Sequence, residues 1–254
     1  MGSLFLRWRR RLFMPEMTAL RDKALTAIRS ESRIGSSFKP TLLEIAEDGT
    51  ATIEAEVETV AIKRLILERV AGTHGITALV DRVHVKPAIA KSDDGILDDL
   101  RNAYYDETSF RALALKEVEN SKMTLVREAF EDQRGEIVLE VKDGVVTLNG
   151  RVPGLATKRL AGVLAWWVPG SRDVINGIAV DPPEEDAPIR IEEAVRIALE
   201  KDPFVTAEQV RVGVRNRTVR LTGVLLREAR DAAEWDAWYV FGVDDVINEI
   251  EVSP

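Results

Sequence analysis

The 254-residue chain contains no cysteine and only two histidines. The first absence removes disulfides, thiolate nucleophiles, Cys-zinc sites and a lipoprotein acylation cysteine together. His74 and His84 have no partner at a metal-ligand spacing such as His-x-x-x-His, so both are expected to be surface or structural residues. Two histidines also leave little room for a Ser-His-Asp arrangement. No apolar run approaches the ~20 residues of a membrane-spanning helix. Arginines interrupt the apolar residues at the N-terminus, and no continuous apolar core follows, so a secretory signal is not expected. Taken as complete, the chain is expected to be cytoplasmic, peripheral on the inner membrane. "DDGILDD", Asp93 to Asp99, lacks the Asp-x-Asp-x-Asp-Gly order of a calcium loop, and acids in a first helical turn suit the helix dipole. Gly144, Gly150, Gly170 and Gly223 form no phosphate cradle. No catalytic residue, metal, cofactor or small-molecule substrate is expected, and the chain is not expected to be an enzyme.

What charge there is lies unevenly. The formal net charge is -8, yet residues 1–15 hold four arginines and no acid. The remainder has 31 basic against 43 acidic residues, a net of -12. An acidic body argues against a nucleic-acid partner, which needs many phosphate-neutralising cations. The lead "LFLRWRRRLFM" puts Leu4, Trp8 and Leu12 on one helical face, with Phe5 beside them and Arg7, Arg9, Arg10 and Arg11 around much of the rest. Such a segment can lie in an anionic phospholipid surface, each arginine contributing ~1 kcal/mol. Phe5, Arg7, Trp8, Arg9, Arg10, Arg11 and Leu12 are therefore the lipid-binding candidates. A disordered start, or one docked on a partner subunit, is the alternative.

The body repeats itself. "VKDGVVTLNGRVPGLATKRLAGVLAWWVPGSRDVINGIAV", Val141 to Val180, returns as "VRNRTVRLTGVLLREARDAAEWDAWYVFGVDDVINEIEV", Val214 to Val252. A fainter copy, Ile45 to Val85, precedes both: Asp48-Gly49 matches Asp143-Gly144, and Gly75 matches Gly170. Apolar alternation on both sides of Asp143-Gly144 predicts a β-hairpin whose glycine supplies the positive φ. Residues 155–168 follow helical spacing and end at Gly170, a capping glycine. "DVINGIAV" alternates again as a third strand. Helices over Thr18–Ser30 and Ile191–Lys201 precede the hairpins of copies one and three, the latter stopped by Asp202-Pro203. The unit is α-β-β-α-β.

This pattern resembles the BON domain, named for bacterial osmotically inducible and nodulation proteins. "DGVVTLNGRV", Ala161, and the glycine followed by "DVINGIAV" carry the resemblance. The first copy diverges: Ala55 replaces the strand glycine, and Val80-Asp81 replaces Ile-Asn. The resemblance implies an α+β fold of tandem αββαβ modules, each a three-stranded sheet with two helices packed on one face. The expected organisation is a basic segment 1–16, a divergent repeat 17–87, a second repeat 92–181 carrying a helical insertion at about 108–133, an acidic proline-rich linker 182–188 and a third repeat 189–254.

One helix looks too apolar for a single contact. In "LAGVLAWWV", Ala161, Leu164, Ala165 and Val168 face the sheet, leaving Leu160, Val163, Trp166 and Trp167 for another surface. Trp235, Trp238 and Tyr239 stand at comparable places in the third copy. These seven are the interface candidates, for packing between repeats, a homo-oligomer, or a bilayer. The resemblance implies association with phospholipid membranes, envelope maintenance and osmotic stress. The reading is a non-catalytic, self-assembling scaffold peripheral to a membrane. Two alternatives stay open: a purely structural ring, shell or filament without lipid, and a sensor of a small, potassium-like ion.

Overall fold

The computed structural model describes residues 2–130 and 135–253, with side chains from residue 16 onward. The chain divides into two compact units, residues 1–86 and 87–254.

In the first unit α1 (Gly2–Ser30) is followed by β1 (Leu42–Ile45), β2 (Thr50–Val57), α2 (Val60–Ala71) and β3 (Ala78–Val85). β1 and β2 are an antiparallel hairpin, and β3 joins β2 in parallel. Ala51, Ile53, Ala55 and Val57 are buried at a strict period of two, which fixes the face β2 turns to the core. α1 contributes Leu20, Ala24 and Ile28, one residue per helical turn. α2 opens on Thr59, whose side chain accepts a hydrogen bond from Ile62 N at 3.2 Å. The basic lead is not a separate segment, because its leucines, arginines and methionine favour helix and one 29-residue helix runs through it into the module.

The second unit contains α3 (Asp93–Asp106), β4 (Ala114–Glu119), β5 (Lys122–Arg127), β6 (Glu136–Lys142), β7 (Val145–Val152), α4 (Leu155–Trp167), β8 (Asp173–Asn176) and β9 (Ala179–Val180). It continues with α5 (Pro188–Lys201), β10 (Val210–Arg215), β11 (Thr218–Leu225), α6 (Arg227–Tyr239) and β12 (Asp245–Val252). The order β10-β11-β12, antiparallel then parallel, repeats the topology of the first unit. Asp143 and Gly144 both have positive φ, 54° and 75°, as a two-residue hairpin turn requires. The fold is α+β and built of small modules, each a strand hairpin with a further strand in parallel and helices packed against it.

The second module departs from expectation. The segment expected as a helical insertion is a single 3-10 turn, Thr108–Phe110, followed by the β4–β5 hairpin. Its final residues, 131–133, lie outside the described residues. Asn120 and Ser121 take φ of 50° and 63°, the primed turn that matches strand twist. Leu115 and Glu117 are buried on alternate positions of β4. Charged residues of both signs suit a helix by propensity, but the period-two burial and the turn decide otherwise. β4 pairs β6 in parallel, so the expected three-stranded sheet becomes a six-stranded one, ordered β5-β4-β6-β7-β8 with β9 also on β7. The expected last strand is split at Gly177, whose N–H bonds Leu148 O at 2.8 Å.

Candidate functional site

Two buried charged side chains of the second unit, Arg159 and Asp236, lie where α4 meets α5 and α6. α4 has no side-chain N-cap of its own; Glu184 of the proline-rich connection accepts from Leu155 N at 2.9 Å instead. One turn on, Arg159 is fully buried. Its Nε donates to Phe241 O at 2.8 Å, and its Nη2 pairs with Asp186. The connection is thus tied to α4 at two carboxylates. Lys158 lies over the Phe241 ring, 5.2 Å from its centre, and burial lowers its pKa. Gly242, at φ +97°, leaves room for this guanidinium: a Cβ there would stand 3.2 Å from Arg159 Nη2.

Further along α4, Trp167 Nε1 donates to Asp236 Oδ1 at 3.0 Å. Asp236 is 2% exposed. Burial first, and the neighbouring Asp202 carboxylate second, push its pKa up to about 8, against the pull of the Trp167 N–H. Trp166 stacks on Tyr239, ring centres 6.1 Å apart and planes 15° from parallel. Burial and then the Asp236 charge raise the Tyr239 hydroxyl to about 12. Leu160, Val163 and Trp238 are buried within the unit, Trp166, Trp167 and Tyr239 are partly covered, and Trp235 keeps 51% of its surface exposed. Arg159, Asp186, Asp202 and Asp236 escaped the sequence reading. For Arg159 and Asp236 the signal was a charge standing within an apolar or aromatic helix face; Asp186 and Asp202 lie outside the helices and gave none.

The twice-written Asp-Val-Ile-Asn has a defined task. Asn176 Nδ2 donates to Lys158 O at 2.8 Å, and Asn248 Nδ2 to Arg230 O at 3.2 Å, so each last strand is tied to its module's helix. The same side chains accept from the N–H two residues on, at Ile178 and Ile250. Asp173 and Asp245 accept from Val174 N and Val246 N. In the first module Asp81 accepts from Val83 N at 2.8 Å and pairs with Lys63 Nζ of α2 at 2.7 Å. These N–H groups point away from the sheet ladder, so the outer edge of each last strand is partly closed by its own side chains.

The lipid-binding candidates Phe5, Arg7, Trp8, Arg9, Arg10, Arg11 and Leu12 belong to α1, but their side chains lie outside the described residues. His74 is exposed and His84 half-buried. Among the described residues no group of three or more His, Cys, Asp or Glu is placed to hold a metal, and no helix is long and apolar enough to cross a membrane. Asp93 does more than face the α3 dipole: its carboxylate accepts from Asp143 N and Gly144 N, each at 2.8 Å, and fastens the hairpin turn.

Fold and seam together define a tandem α+β module protein. The BON domain model matches residues 124–182 and 190–254, which fall on the second and third modules. Two solved structures of CdsD, a structural protein of the type III secretion system of Chlamydia trachomatis, are similar at 13% identity. The similarity to its C-terminal domain covers 92% of this chain and 98% of that one, with a TM-score of 0.23. For the second the shares are 93% and 93%, again with a TM-score of 0.23. No curated protein sequence matches the chain.

Proposed function

We propose that the chain is a non-catalytic scaffold that docks on anionic phospholipid surfaces through the N-terminal end of α1. The observation that carries this reading is the continuity of α1. The arginine-rich lead and the helix that supplies Leu20, Ala24 and Ile28 to a module core are one element. A helical lead keeps Leu4, Trp8 and Leu12 on one side of the sequence pattern and coupled mechanically to the module. The BON match supports a membrane- or envelope-related role, and the net charge of -12 on the rest of the chain keeps the body off an anionic surface. Self-association would multiply weak single contacts into firm binding. Maintenance of the envelope under osmotic stress is the process this reading fits.

The test is co-sedimentation with phosphatidylglycerol and with phosphatidylcholine vesicles. The full chain is expected to sediment with the anionic vesicles alone. A variant with Arg7, Arg9, Arg10 and Arg11 all changed to Gln should lose ~4 kcal/mol, about a thousandfold in partitioning. Equal binding by the variant would sink the proposal.

A further inference from the structure

The two edges of each module sheet are treated differently. The last strand is partly closed by its own Asp or Asn side chains. The first strand is not. In the second module the first strand, β6, is covered by the chain itself: β4 lies along it in parallel, Leu115 opposite Ile137 and Glu117 opposite Leu139. In the third module the matching strand is β10, and among the described residues its sheet holds β10, β11 and β12 alone. Arg215 and Thr218 close the two-residue turn, so Arg211, Gly213 and Arg215 bond β11, and the alternate residues face outward. Val210 N–H is taken by Ala207 O. The backbone groups of Val212 and Val214 then form an open edge where Leu139 and Val141 stand in the second module.

We infer that this edge takes an extended, acidic segment of a partner polypeptide as an added strand, in the place β4 occupies on β6. The outward face of β10 presents exposed Arg211 and Arg215, neither ion-paired among the described residues. Between them lies Gly213, above which a Cβ would meet nothing within 4 Å. The complementary strand carries an acid, then an apolar residue over Gly213, then an acid, on alternate positions. At the start of β10 lies an open groove of about 860 Å³, lined by Phe204, Gln209, Arg211, Val224 and Leu226 among others. Phe204 is 78% exposed and Leu226 62%. In the second module Phe110 and Leu113, which lead into β4, are buried, so an incoming parallel strand has an apolar seat for its leading residue at the same end. Glu208 also lines the groove, which leaves the charge preference to Arg211 and Arg215. A second copy's β10 is a poor occupant, because antiparallel pairing about Gly213 would set Arg211 against Arg215.

The test uses the full chain and two blocked, fluorophore-tagged peptides, Val-Glu-Val-Ile-Val-Glu-Val and Val-Lys-Val-Ile-Val-Lys-Val. The acidic peptide should bind by anisotropy and slow amide exchange at Val212 and Val214; the basic one should bind at least about tenfold more weakly. The double variant Arg211→Glu/Arg215→Glu changes only exposed, unpaired side chains and should reverse the preference with an unchanged circular dichroism spectrum. No binding of the acidic peptide, protection elsewhere, or an unchanged preference in the variant overturns the inference. So does self-association of the full chain that the double variant abolishes, since the occupant would then be a second copy.

Discussion

A carboxyl group sealed between two modules, Asp236, gives the seam a pH dependence of known sign. In the folded chain its pKa is about 8, while an unperturbed aspartate has 3.8. Between those values the native state holds a proton that the unfolded chain has released. Stability therefore falls as pH rises through this window, by at most ~1.4 kcal/mol per unit, and levels off above it. Asp236→Asn keeps an acceptor for Trp167 and removes the titration. Thermal melts from pH 5 to 9 should show the wild type losing stability relative to this variant as pH rises; parallel curves would contradict the assignment. In sequence Trp166, Trp167 and Tyr239 stood out as more than one sheet face can bury, with repeat packing, an oligomer and a bilayer all open as their use. Its polar side was hidden, because Asp236 and Asp202 meet only after two helices of one module pack on a helix of another.

Turn chemistry made the elements legible. Asp143-Gly144, Gly170 and the Asp-Pro stop each force a local geometry that needs no tertiary information. The β4–β5 hairpin hid because Asn-Ser is a weaker turn signal than Asn-Gly, and because β4 finds its partner β6 in parallel, across the sheet. The strand glycines are a further case. Gly223 has φ +149°, and a Cβ there would stand 2.0 Å from Gln209 O; for Gly150 the distance to Glu136 O is 2.2 Å. Gly223→Ala should cost about 2 kcal/mol or more in chemical denaturation. Ala55→Gly, at the same place in the first module, should cost only ~1 kcal/mol, because that strand already accepts a Cβ. Equal costs would contradict the assignment of a positive-φ, close-approach position to Gly223 and not to Ala55. Asn248→Ala removes the tie to Arg230 O and the acceptor for Ile250 N, and should cost ~1–2 kcal/mol.

At the scale of the whole molecule the charge is sorted: four arginines at the start of α1, a net of -12 on residues 16–254. The two later modules, which the BON domain model matches, were readable because hairpin and cap residues recur at fixed offsets. The distribution of contacts was not, since the second and third modules share a seam whose residues are polar and scattered in sequence. The central claim is that membrane contact belongs to the lead of α1 and not to the module helices. The most direct measurement is amide hydrogen exchange of the full chain with and without phosphatidylglycerol vesicles. The account predicts new protection confined to residues 2–15, with α4, α6 and their sheets unchanged. Protection on α4 or α6, or none anywhere in the chain, would contradict it.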